Sequence, residues 1–217
     1  MFFNSIVSDI IQQIKRICAK KYRKGVTMDK VIPVVVIKDL NDTIPTLKAL
    51  KEGGINCAEI TFRTACAAEA IALGVKEFPD MNIGAGTIIN LKQAKKAIES
   101  GSKFLVSPGL SVSVAKYAKK KGIPYYPGCV TPTEIMQALE LGIEVIKFFP
   151  ANVYGGLKAL KALSGPFPQV KFIPTGGVDA TNLAEFLAFE KIYAVGGSWM
   201  MKGNIVENCK QINEIVK

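Results

Sequence analysis

Histidine is absent from the 217 residues. That excludes a Ser-His-Asp or Cys-His catalytic set and any histidine-ligated metal. Proton transfer is left to Glu, Asp, Lys, Tyr or water. The five cysteines (Cys18, Cys57, Cys66, Cys129, Cys209) form no CxxC pair. They read as reduced structural thiols, as in the cytoplasm, rather than as a disulfide framework. No apolar run reaches the ~18 residues of a membrane span. Residues 1–9 lack the basic leader and long apolar stretch of a secretory signal. No low-complexity segment or linker interrupts the chain, and 49% hydrophobic residues suit one globular domain over 1–217.

Acidic residues are few: 18 against 28 Lys and Arg, a net charge of +10. Half of that excess lies in residues 1–30, where seven basic residues face two acidic ones. A basic field favours anionic substrates. No stacking motif, heptad or nucleic-acid module accompanies the cluster, so no nucleic-acid partner is expected. Within 5–24, Ile6, Ile10, Ile14, Ile17 and Cys18 recur at helical spacing with the basic residues mostly opposite. A membrane-surface helix shares that pattern. A basic amphipathic helix over 1–29, packed across one end of the domain, is the preferred reading, and no membrane partner is expected.

From residue 30 onward a unit recurs: helix, glycine, short apolar strand, then a loop marked by Pro or Gly. Strands are expected at 31–37, 56–62, 82–86, 103–108, 123–127, 143–150, 171–174 and 192–196. Glycines 101, 122 and 142, about 20 residues apart, suit the helix C′ position. Eight strands alternating with helices imply parallel pairing through crossovers. The expected fold is α/β: a compact (β/α)₈ TIM barrel over 30–217 with an N-terminal helix. A doubly wound open sheet is the alternative.

The run Ile143-Glu144-Val145-Ile146-Lys147-Phe148-Phe149-Pro150 places a lysine on an apolar strand face with Val145 and Phe149. Taken alone it leaves two readings. The side chain snorkels to solvent from a strand tip. Or it is buried, where burying an ammonium is costly and a neutral amine is a nucleophile toward ketones and aldehydes. On the second strand, alternation puts Cys57, Glu59, Thr61 and Arg63 on one side and Ala58, Ile60 and Phe62 on the other. A carboxylate beside a buried lysine is either a structural ion pair or an acid/base couple. The third strand ends Gly84-Ala85-Gly86-Thr87, whose glycines either leave room for a ligand or meet interior packing. Gly176-Gly177 and Gly196-Gly197-Ser198 end the seventh and eighth strands, where barrels commonly bind phosphate. Glycine lets backbone N–H groups approach phosphate closely, and a following helix N-terminus favours negative charge.

Several stretches then fall in order over about residues 30–200: Glu59-Ile-Thr-Phe-Arg63-Thr, Gly84-Ala-Gly-Thr87, Ser107-Pro108, Pro127-Gly128, Thr131-Pro-Thr-Glu134, Lys147-Phe-Phe-Pro150, Gly165-Pro-Phe-Pro168, Pro174-Thr-Gly-Gly177 and Gly196-Gly-Ser-Trp199. Together they resemble the family of 2-keto-3-deoxy-6-phosphogluconate (KDPG) and 4-hydroxy-2-oxoglutarate (KHG) aldolases. The resemblance implies a homotrimeric class I lyase, free of metal and cofactor, that reversibly cleaves a keto acid. The products are pyruvate and glyceraldehyde 3-phosphate or glyoxylate. Lys147 resembles the Schiff-base lysine and Glu59 the general acid/base. Arg63 and Thr87 resemble the carboxylate-holding group, Pro108 and Phe149 pocket walls, and Thr175 a substrate-contacting hydroxyl. Gly176, Gly177, Gly197 and Ser198 resemble a phosphate cradle. Two other functions share the glycine pairs: a different phosphate-binding isomerase or synthase, and a non-catalytic binding barrel.

Overall fold

A computed structural model describes residues 29–216. The basic helix expected over 5–24 lies outside them. Among the described residues eight strands alternate with eight α-helices: β1 (Val31–Val35), α1 (Thr43–Glu52), β2 (Cys57–Thr61), α2 (Ala67–Glu77), β3 (Asn82–Gly86), α3 (Leu91–Glu99), β4 (Leu105–Val106), α4 (Val112–Lys121), β5 (Tyr125–Tyr126), α5 (Pro132–Glu140), β6 (Val145–Phe148), α6 (Gly156–Ser164), β7 (Lys171–Pro174), α7 (Leu183–Leu187), β8 (Val195–Gly197) and α8 (Ile205–Val216). Among the described residues no helix is long and apolar enough to cross a membrane.

Local chemistry explains several boundaries. Asn90 caps α3 by accepting from the Gln93 N–H, and Ser111 caps α4 by accepting from Val114. Thr131 and Glu134 form a reciprocal capping box at α5, with Pro132 in the first turn. Gly122 ends α4 at φ 69°, a left-handed conformation that lets its N–H reach back to the last turn.

Every strand pairing is parallel. One curled sheet runs β5-β4-β3-β2-β1-β8, and a second pairs β6 with β7. The expected α/β class with parallel crossovers is thus present. Single bridges link the two sheets: Gly128 with Lys147 beside β5 and β6, and Phe172 with Ile192 and Thr175 with Gly196 beside β7 and β8.

Three strands are shorter than their apolar runs suggest. β5 is confined to Tyr125 and Tyr126 because Pro124 and Pro127 flank it without N–H donors. β4 makes one pairing with β3, Leu105 with Ala85. β8 starts at Val195, where its N–H first reaches Lys30 of the β1 side; Ile192, the expected start, bridges only to β7.

Side chains sort by alternation into two apolar layers. Ile32, Cys57, Phe104, Val106, Tyr126, Ile173 and Ala194 form an inner cluster. Ala58 and Ile60 join the larger outer core against the helices, and Phe62 packs on it. The partition on β2 follows the alternation read from the sequence, and it carries Glu59 and Thr61 inward.

Candidate active site

Lys147 is fixed from both flanks. Its strand pairs with β7 through Lys147 opposite Ile173. Its N–H donates to the Pro127 carbonyl at 2.8 Å, and its carbonyl accepts from Cys129 at 2.9 Å. The side chain is only 7% exposed, so the snorkelling alternative does not hold. Its Nζ lies 3.5 Å from Oε1 of Glu59, itself 3% exposed, and 5.1 Å from the centre of the half-buried Phe149 ring. The cation and carboxylate come from different sheets, 88 residues apart. Removing either partner of a buried pair costs about 3–5 kcal/mol because the other is left uncompensated.

Glu59 has the room to reach Lys147 because β3 supplies none of its own side chain at that level. A Cβ on Gly86 would collide with Oε1, Cγ and Cδ of Glu59, and one on Gly84 with the Phe104 ring. Of the two readings of these glycines, the structure selects interior packing: their space is taken by protein side chains.

Arg63 lies beyond the end of β2, exposed, and its Nε donates to Thr87 Oγ1 at 3.3 Å. Thr87 has φ 56°, a left-handed conformation that a β-branched residue adopts only at a cost of about 1–3 kcal/mol. Nothing in the composition of Gly84-Ala-Gly-Thr87 signals this strain. Pro108 is exposed in the loop after β4, and its carbonyl lies where a Cβ on Gly128 would sit. That loop is tied down from below. Tyr125 Oη lies 2.6 Å from Ser107 Oγ and accepts from the Ser111 N–H at 3.2 Å. The tie runs between neighbouring strands, and no spacing within one segment reveals it.

Thr175 is buried, donates to the Ile173 carbonyl at 3.4 Å, and bridges to Gly196. That bridge brings the two glycine pairs side by side. Gly176 and Gly177 have φ of 87° and 77°, open to glycine and strained for other residues. Gly197 is covered by the Trp199 ring, and Ser198 is exposed beside it. The helix N-terminus expected after each pair is weaker than anticipated. Five residues separate Gly177 from α7, and β8 is followed by a single 3₁₀ turn, Trp199–Met201. Among the described residues no group of three or more Cys, Asp or Glu side chains converges as a metal set would.

The site therefore holds a buried amine beside a carboxylate, an exposed guanidinium braced by a threonine, and two adjacent glycine turns. The family model described as KDPG and KHG aldolase matches residues 23–217. The chain belongs to the KDPG and KHG aldolase family. It is 46% identical over 172 residues to the 2-dehydro-3-deoxy-phosphogluconate aldolase of Treponema pallidum, covering 79% of this chain and 82% of that one. It is 42% identical over 181 residues to the KHG/KDPG aldolase of Escherichia coli K12, covering 83% and 85%. Among solved aldolase structures, that of KDPG aldolase from Legionella pneumophila superposes with a TM-score of 0.80 at 41% identity, covering 87% of this chain and 93% of that one. That crystal holds pyruvate captured at low pH as a covalent carbinolamine.

Proposed function

We propose that this chain is a class I aldolase that cleaves KDPG reversibly to pyruvate and glyceraldehyde 3-phosphate, and KHG to pyruvate and glyoxylate. The single observation that carries the reading is the buried Lys147 amine 3.5 Å from the Glu59 carboxylate. The carbinolamine in the Legionella relative supports an amine nucleophile in this family. Lys147 attacks the C2 ketone, a C–N bond forms, and loss of water leaves a protonated imine. Glu59, through water, takes the C4 hydroxyl proton. The C3–C4 bond breaks, its electron pair moves into the imine, and the aldehyde leaves. Glu59 returns a proton to C3 of the enamine, and hydrolysis frees pyruvate and the amine.

In this proposal the planar fork of Arg63, with Thr87, holds the substrate carboxylate, while Pro108, Phe149 and Thr175 line the keto acid. Gly176, Gly177, Gly197 and Ser198 receive the phosphate. The direct test is release of pyruvate from KDPG, read by a coupled lactate dehydrogenase assay; an inactive pure protein would refute the reading. Ser198→Ala should raise KM for KDPG several-fold and leave KHG unchanged, and equal effects on both would remove the phosphate role. Thr87→Gly should leave the thermal midpoint no lower, because the left-handed backbone is relaxed, yet weaken pyruvate binding several-fold. A lower midpoint with unaltered binding would reverse both halves of that argument.

The rest of the reading is architectural. The two sheets close into a (β/α)₈ barrel within a single domain, supported by the three inter-sheet bridges. The enzyme works as a cytoplasmic homotrimer. Light scattering on the eluting protein should give three times the mass of one chain, and a monomer would refute the assembly.

A further inference from the structure

Thr61 ends β2 with no exposed surface, and among the described residues its hydroxyl has no hydrogen-bond partner. A buried hydroxyl left unpaired is a cost to folding, and a valine would fill nearly the same space without it. Alternation with Cys57 and Glu59 puts Thr61 on the inner face. In register it stands opposite Gly86, and the space above Gly86 is filled by the end of the Glu59 side chain. The Glu59 carboxylate therefore leans along the strand to the level of Thr61.

We propose that Thr61 is a positioning residue for Glu59, an inference that rests on the aldolase reading. In the free enzyme the carboxylate has Lys147 as its partner. Once Nζ is bonded to C2 as a protonated imine it keeps one hydrogen, fixed in the plane of the C=N bond, where it does not donate to a carboxylate standing over the face of that bond to reach C3. A buried carboxylate needs another donor. The Thr175 hydroxyl is already engaged by the Ile173 carbonyl. Thr61 donates instead, and holds the carboxylate over the carbon that gains or loses the proton.

Two measurements separate this role from a structural one. Borohydride trapping of pyruvate reports imine formation alone. Exchange of the pyruvate methyl protons in D₂O, followed by NMR, also requires the carboxylate to move a proton. Thr61→Val should exchange about tenfold more slowly, the size expected for one hydrogen bond to a charged group. It should trap within about twofold of the unaltered protein and melt no lower. Thr61→Ser should recover exchange to within about threefold. Wild-type exchange in Thr61→Val, a serine variant no better than the valine one, or trapping lost in step with exchange would each overturn the role. Failure of the unaltered protein both to trap and to exchange would sink the aldolase reading, and this inference with it.

Discussion

Borohydride added with pyruvate should attach a three-carbon unit to the native chain at Lys147 and leave Lys147→Ala unlabelled. The same change should cut turnover by at least about 10⁴-fold, a modest share of the ~10⁶-fold or larger accelerations that enzymes supply. The size follows from chemistry: without the amine no imine forms, and nothing accepts the electrons of the C3–C4 bond. Truncation also strands Glu59 as an unpaired buried carboxylate, at about 3–5 kcal/mol, so a circular dichroism melt must accompany the assay. Lys147→Arg supplies the control. It keeps a cation beside Glu59, but a guanidinium never offers a neutral amine. Mass spectrometry reads both variants; a pyruvate adduct on either would move the nucleophile elsewhere.

Glu59→Gln should separate the two halves of the reaction. The amide matches the carboxylate in size but does not shuttle protons. Turnover should fall about 10²–10⁴-fold, the range for loss of a general acid–base group, while pyruvate trapping survives within a few-fold. Single-turnover kinetics would place the loss after imine formation. Near-normal kcat would strip Glu59 of its role, and loss of trapping equal to the loss of turnover would make it a structural partner of Lys147 instead.

Much of this site was legible before any coordinates, because a strand's two-residue period is a strong rule. It grouped Lys147 with Phe149 on one strand face and Glu59 with Thr61 on another, and the structure brings Lys147 and Glu59 together across two sheets. Strand count and parallel pairing followed from the recurring helix–glycine–strand unit. Strand length did not, because ladder extent depends on which neighbour offers hydrogen bonds. The single-bridge start at Ile192 is decided by Phe172 on β7, whereas Pro124 and Pro127, which confine β5, stand in the sequence itself. The use of glycine was equally opaque. Gly84 and Gly86 yield their space to Phe104 and Glu59, neither of them near in sequence. The left-handed Thr87 and the Tyr125 tie to the loop carrying Pro108 are likewise tertiary facts, invisible to local propensity.

The acid and the amine belong to separate sheets, and this bears on how the chain matures. A nascent polypeptide that has emerged only through its first five strands already owns Glu59 but has nothing for it to work with. Lys147 arrives with the sixth strand, and the sheet that carries Glu59 is itself completed only by β8, which follows β6 and β7 in the chain. A piece lacking either sheet therefore lacks either the Lys147 amine or the Glu59 carboxylate.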